Sequence, residues 1–308
     1  MKISTSFKVG IAFTMLCIVW GTTYYGIRYA IQYIAPFMLS ALRHLIAGAI
    51  FLGISLARGE KLPGKELLWR LTKLGMLLIV GGNALVCWAE QFIPSGLTAV
   101  ICSLSPIFIT LMSLYFFKGF RITYKIIIGL LLGLFGIGLI FSKDLSLTLD
   151  RNTFFALLVL LVAILCWGLG SVLLKKNPVP LSIFMSIGLQ MLIAGTINAL
   201  ISSVLEDNSK LLQTDSKGVF ALLYLVVCGS LIGYGCYLYV LGHYTAARIS
   251  IHSYINTLIA VLVGWLVGNE TMNEYIIFGT LIVLLGLLIV NGEYAKLAKE
   301  NELSKVAD

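Results

Sequence analysis

Charge is what this chain has least of. Asp, Glu, Lys and Arg together make up 12% of its 308 residues, about half of the roughly 25% usual in a soluble domain. With 59% hydrophobic residues and a mean hydropathy of +0.98, too few polar side chains exist to cover a water-facing surface, which excludes one or two soluble domains. Cysteine is sparse too. Cys17, Cys87, Cys102, Cys166, Cys228 and Cys236 lie inside apolar stretches, with no Cys-x-x-Cys pair and no His-rich segment, so they read as small buried hydrophobes and neither a metal nor a disulfide framework is expected. The patterns His-Glu-x-x-His, Gly-x-Ser-x-Gly and Gly-x-x-x-x-Gly-Lys-Ser/Thr and paired intramembrane aspartates are all missing. Metal, nucleophilic and ATP-driven chemistry therefore lack their parts, and an enzyme with a cofactor is not expected.

What is present is a succession of long apolar runs, near residues 8–29, 36–57, 70–88, 95–117, 122–141, 153–174, 181–204, 218–241, 249–268 and 274–292. Each can cross about 30 Å of hydrocarbon as a helix rising about 1.5 Å per residue. Helix is expected because every backbone polar group in lipid must find its partner within the segment. The fold class is thus all-α integral membrane, with ten transmembrane helices. The first run lacks a small-residue cleavage site and is expected to be the first span. Pro36, Pro63, Pro94, Pro178 and Pro180 sit at the joints, where a missing N–H matters least; Pro106 alone lies inside a run.

The excess of basic residues, 22 against 14 acidic, is a topology signal. With the amino terminus inside, sixteen Lys and Arg fall in cytoplasmic segments and five in the opposite ones, so both termini are expected to be cytoplasmic and the chain multi-pass in an inner membrane. Nucleic acid is not an expected partner, since no basic patch is interleaved with exposed aromatics.

The two halves repeat. Trp20-Gly21 recurs as Trp167-Gly168 and Leu45-Ile46-Ala47-Gly48 as Leu192-Ile193-Ala194-Gly195, both at a spacing of 147; Ser103 pairs with Ser253, Gly129 with Gly279 and Gly136 with Gly286 at a spacing of 150. Five spans per half is odd, so the second copy enters the bilayer from the opposite side. Residues 1–147 form the first repeat, 148–295 the second and 296–308 a short cytoplasmic tail. Two inverted copies suit a carrier that exposes a midplane site to each side in turn; a duplicated scaffold without transport is the bland alternative.

Ionisable groups deep in lipid are functional candidates by default. No Asp lies in a span, and of the Glu residues Glu90 alone is read as membrane-embedded, near the end of the third helix, with Arg43, His44 and His252 completing the deep set. Glu90 reads as a proton carrier or partner of a substrate ammonium, or else as an interfacial helix end. Arg43 reads as a bond donor between helices rather than an anion binder, and His44 as structural. His252 shares a helix face with Asn256. Asn83, Cys87, Glu90 and Gln91 form one polar stripe on the third span, either lining a cavity or bonding between helices. Trp20, Tyr24, Trp167, Tyr234 and Tyr237 can wall a substrate chamber, with an interfacial aromatic belt as the other reading; Trp69, Trp88 and Trp265 are given to that belt. Ser103 and Ser105 precede Pro106 and either face substrate or satisfy a freed carbonyl. Gly81-Gly82 and the glycines at 129, 133, 136 and 138 suit close helix approach, with Gly129-x-x-x-Gly133 a possible dimer face, so a monomer or weak dimer is expected.

Several segments resemble the drug/metabolite transporter superfamily, specifically its paired EamA-type repeats, over nearly the whole chain. They are Trp20-Gly21 with Pro36 and Arg43; Ala89-Glu90-Gln91 and Pro94-Ser95-Gly96-Leu97-Thr98-Ala99 with Pro106; Ala246-Ala247-Arg248 and Tyr254-Ile255-Asn256; and Gly264-Trp265 through Gly268-Asn269-Glu270 to Gly279 and Gly286. The resemblance implies a ten-helix inverted-repeat carrier of small organic metabolites, often an exporter of amino acids or similar amphipathic molecules. A nucleotide-sugar or organic-cation exchanger or importer is the alternative, and a membrane sensor or channel the alternative of another class. A proton is a possible coupling ion. Two departures stand out. The Glu that usually closes the fourth helix is replaced near Gly119 and Phe120, and the Pro usual after the ninth-helix Asn is Thr257.

Overall fold

The structure is a computed structural model that describes residues 4–117, 122–142 and 150–307. Gly119, Phe120, Lys118, Arg121 and Lys143 lie outside the described residues. Ten helical elements follow one another: α1 Thr5–Ala30, α2 Pro36–Ala57, α3 Lys65–Ala89, α4 Ser95–Phe116, α5 Tyr124–Phe141, α6 Arg151–Lys176, α7 Ile183–Leu205, α8 Ser216–His243, α9 Ala246–Leu266 and α10 Glu274–Ala307. Among the described residues nine helices are long and apolar enough to cross a membrane, and Tyr124–Ile140 is a shorter apolar tenth. Large apolar side chains such as Leu200, Val204, Phe220 and Leu288 stay exposed on the outer faces, as a lipid-facing surface requires. Backbone helix continues to Ala307, through most of the stretch assigned to the tail.

Local chemistry sets the helix starts. Pro36 opens α2, where its missing N–H would have had no partner. The Asp150 carboxylate caps α6 by accepting from Thr153 N at 3.0 Å, and Ser182 Oγ caps α7 by accepting from Met185 N at 3.1 Å. Other caps cross between the halves. Glu206, just past α7, accepts from Phe37 N and Met38 N at the start of α2 (2.9 and 3.2 Å), while Glu60, just past α2, accepts from the α7 cap Ser182 Oγ at 2.6 Å. Hydrogen bonds from Ser182 and then Ser55 hold the Glu60 carboxyl below its ordinary value.

Glycine contacts reveal the symmetry. A Cβ on Gly48 would meet Leu192, and a Cβ on Gly195 would meet Leu45; Gly188 in turn faces Leu52. Positions ascending on α2 thus meet positions descending on α7, so equivalent helices run antiparallel. On α5 and α10, Gly129 faces Gly286 and Gly136 faces Gly279, again each residue against the repeat partner of the other. Gly21 of α1 packs on Ile259 of α9, and Gly168 of α6 on Ile109 of α4. Such reciprocity is the mark of an isologous interface, here between two halves of one chain, and it makes the fold two inverted five-helix repeats. Nothing lies within 4 Å of a Cβ placed on Gly133 or Gly138, although a Cβ on Gly286 would meet both Gly129 O and Gly133 N, the latter at 3.1 Å.

Both α4 and α9 are interrupted. Helix α4 breaks between Cys102 and Ser105, where Pro106 enters the first turn of its second segment; α9 breaks between Ile249 and His252 with no proline there. Thr257, standing where the resemblance expects proline, donates from Oγ1 to Ser253 O (2.8 Å) and Ala99 O (2.9 Å), so it ties α9 to α4 instead.

Candidate functional site

Helices α3 and α8 each contain a π-helical stretch, Met76–Ala84 and Leu225–Tyr234, about 150 residues apart. A π turn widens the helix and loosens its carbonyls, and both stretches present glycine to a tryptophan of the other half. Trp20 lies on Gly233 and donates from Nε1 to Gly229 O at 3.0 Å, while Trp167 lies on Gly82. A side chain on Gly233 would expel the indole of Trp20, and one on Gly82 would press on that of Trp167.

Around these two rings an aromatic cluster closes. Trp20 and Trp167 meet edge-on with centroids 5.3 Å apart; Tyr237 stacks on Trp20 at 5.3 Å and tilts against Trp167 at 4.9 Å; His252 meets Trp20 edge-on at 5.2 Å. Beside the cluster is a cavity of about 100 Å³ in which a water centre can move. One water needs roughly 10–15 Å³ by that measure, so the space suits a small solute.

Of the residues expected at the site, Trp20, Tyr24, Asn83, Ser105, Trp167, Tyr234, His252 and Asn256 line this cavity, contributed by α1, α3, α4, α6, α8 and α9. Tyr237 is buried behind the indoles with its OH donating to Ser171 Oγ at 2.5 Å. Ser103 is buried outside the wall, and its Oγ donates to Val100 O as Ser105 Oγ does to Cys102 O, both at 2.6 Å. Those two hydroxyls satisfy carbonyls at the α4 break; only Ser105 also faces the cavity.

The polar stripe on α3 does not continue as a single face. Asn83 lines the cavity and Cys87 Sγ donates to Asn83 Oδ1 at 3.9 Å, but α3 ends at Ala89, so Glu90 and Gln91 fall in the following turn. Gln91 is exposed, with Nε2 donating to Trp88 O at 3.1 Å. Glu90 is fully buried, its backbone carbonyl accepts from Arg28, and neither carboxylate oxygen has a hydrogen-bond partner. It stands outside the cavity wall. A regular 3.6-residue period predicted one stripe; the helix end at Ala89 breaks that period.

Two cavity residues were assigned structural roles from the sequence. His44 keeps such a role in part: its Nδ1 donates to Ser40 O at 2.6 Å, and Asn198 Nδ2 donates to Ser40 Oγ at 3.0 Å, joining α2 to α7. Arg43 donates from Nε to Ser230 Oγ at 3.1 Å, the bond between helices that was expected, yet its guanidinium also lines the cavity. Hydropathy could reveal that Arg43 was deep but not which way it pointed. The glycines opposite the indoles were visible as letters, without any sign that they marked the wall.

The profile of the EamA-like transporter family matches residues 8–142 and 154–292. The chain is 33% identical to the "Uncharacterized inner membrane transporter YedA" of Escherichia coli (strain K12), over 92% of this chain and 91% of that protein. It is 28% identical to the "Uncharacterized transporter YoaV" of Bacillus subtilis (strain 168), over 92% and 96%, and 23% identical to the "Probable amino-acid metabolite efflux pump" of Salmonella typhimurium (strain LT2), over 92% and 94%. A solved structure described as "Crystal structure of protein" superposes with a TM-score of 0.72 at 18% identity, covering 94% of this chain and 98% of that one, which speaks to the fold alone. Matched along both repeats, the chain belongs to the EamA-like transporter family and is a membrane transporter.

Proposed function

We propose that this protein is an inner-membrane secondary transporter that exports small amphipathic metabolites, amino acids among them, by alternating access. The observation that carries this reading is the cavity between the inverted halves, walled by Trp20, Trp167 and Tyr234. Aromatic faces suit an apolar side chain, and the polar groups among them suit its charged end. The Salmonella relative named as an amino-acid metabolite efflux pump favours the same substrate class. Residues 1–147 and 148–295 are the two rocking units in this reading, both termini face the cytoplasm, and a single chain, alone or weakly dimerised, suffices.

The test is counterflow in proteoliposomes. The purified chain, loaded inside with an unlabelled amino acid, is expected to accumulate the labelled form transiently and saturably, and Trp20→Ala is expected to abolish that overshoot. Flux that never saturates and shows no counterflow would indicate a channel and remove the carrier reading. Glu90, buried with both oxygens unpartnered, is the proposed proton carrier. Glu90→Gln is expected to remove the pH dependence of exchange while leaving counterflow intact; an unchanged pH profile excludes Glu90.

A further inference from the structure

Arg43 is 3% exposed, lines the cavity, and has one nitrogen, Nη1, with no hydrogen-bond partner. Its Nε is held by Ser230 Oγ, and the guanidinium also interacts with the Cys87 side chain. Glu90 forms no ion pair with Arg43, and neither of its carboxylate oxygens has a hydrogen-bond partner. A buried guanidinium without a directly bonded counter-ion is strongly unfavourable, and an unpartnered N–H donor adds to the penalty. Nothing on α7 repeats it. The position 147 residues on is Gln190, whose Nε2 donates to Ser186 O and Oγ (3.1 and 3.0 Å) and whose Oε1 accepts from Tyr234 OH (3.3 Å).

A second unfinished group faces the same space. With the Asn256 carboxamide turned so that its nitrogen donates to His252 O and Cys17 O, both at 2.9 Å, its oxygen accepts from His252 Nδ1 at 3.1 Å. The ring proton is then on Nδ1, and Nε2 is an acceptor. That nitrogen is buried, without a partner, and on the wall of the same cavity.

The geometry points to a carboxylate-binding subsite at Arg43, with His252 Nε2 accepting an N–H of the same ligand and the indoles of Trp20 and Trp167 taking its apolar part. The ligand class is a small amino acid with an apolar side chain. A guanidinium fork matches a carboxylate in two parallel bonds. Arg43 is the one Lys or Arg in the described wall, which suits a monoanion over a phosphate. This assignment rests on the transport reading above and names what that site holds.

The test uses the full-length protein in proteoliposomes and matched probes that differ at one end. L-phenylalanine, L-leucine and their carboxamides, the decarboxylated phenethylamine and the deaminated hydrocinnamate compete for counterflow of the labelled amino acids, and quenching of tryptophan fluorescence reads binding in parallel. The free amino acids are expected to compete at least about tenfold better than the carboxamides or the amine, because the analogues leave the Arg43 donors unpaired. Arg43→Gln is expected to raise the half-saturating concentration at least about tenfold and to erase the preference of acid over amide. Arg43→Lys is expected to restore part of that preference, whereas Ser230→Ala, which removes only the Nε partner, keeps it. Equal competition by acid and amide in the unaltered protein would overturn the subsite while leaving transport standing, and that comparison needs no variant to fold. An Arg43→Gln protein that transports as the unaltered one does would overturn it as well. Absence of counterflow for every probe and for quaternary amines would instead remove the transport reading itself.

Discussion

Helices α2 and α7 face each other across the pseudo-two-fold axis, and at equivalent places they carry Arg43 and Gln190. Both are buried. Gln190 has its oxygen and nitrogen in hydrogen bonds within the second half and takes no part in the cavity wall, whereas Arg43 faces the cavity with a nitrogen unpartnered. The scaffold around them is reciprocal, Gly48 on Leu192 and Gly195 on Leu45. What the difference teaches is a division of labour: the glycines must repeat, because close backbone approach leaves one solution in each half, while the groups aimed at the cavity need not. A ligand with unlike ends calls for unlike walls.

The shared scaffold breaks most readily where two backbones touch. A Cβ on Gly48 would stand 2.9 Å from Leu192 N and 3.0 Å from Gly188 O, whereas one on Gly53 of the same helix meets nothing within 4 Å. Gly48→Leu is expected to lower stability by about 1–3 kcal/mol or to prevent assembly, read by thermal unfolding in detergent. Gly53→Leu is expected to be neutral or slightly stabilising, since glycine inside a helix is unfavourable by roughly 1 kcal/mol.

A smaller contrast separates α4 from α9. The start of α4 is held from the other half by Glu270, which accepts from Ser95 N (2.8 Å), Ser95 Oγ (2.6 Å) and Gly96 N (2.9 Å). The start of α9 is capped locally, with Thr245 Oγ1 accepting from Arg248 N at 3.2 Å. Glu270→Ala is expected to destabilise by about 2 kcal/mol and Thr245→Ala by about 1 kcal/mol or less. Equal effects in the same unfolding assay would mean that the cross-half bonds add nothing to an ordinary cap.

The smallest contrast is between the caps of α1 and α6. Ser4 caps α1 with a hydroxyl and Asp150 caps α6 with a carboxylate, which hydrogen bonds from the Thr153 N–H and then its hydroxyl hold below the ordinary value of 3.8. A carboxyl lowered in the folded state contributes stability that is fully present above its unfolded pKa and is lost as pH falls below it. Asp150→Ala is therefore expected to lower the melting temperature at pH 7, with the gap closing as pH drops below about 4, whereas the effect of Ser4→Ala stays constant with pH. A gap for Asp150→Ala that persists into acid would show that the carboxylate charge is irrelevant to the cap.

The indoles were legible because Trp20-Gly21 and Trp167-Gly168 repeat as rare letters at one spacing, and a repeat of tryptophan beside glycine in opposed halves has few other uses. The polar stripe from Asn83 to Gln91 was not. Its α-helix stops at Ala89, ahead of Pro94, and the turn that sends Gln91 outward had no trace in the letters. Arg43 shows the same gap. Its depth followed from hydropathy, but its second role depends on which groups Ser230, on a helix nearly 190 positions away, leaves unbonded.

The sequence by itself determined a membrane solvent, ten crossings and two copies in opposite senses, since lipid admits only internally bonded helices and an odd count per copy must invert the second. Only the tertiary structure decided where two helices wind as π, which glycines take an indole, and which buried polar atoms stay unbonded in the cavity. Periodicity and composition are properties of one helix in its solvent, whereas a free donor is a property of every neighbour that failed to reach it.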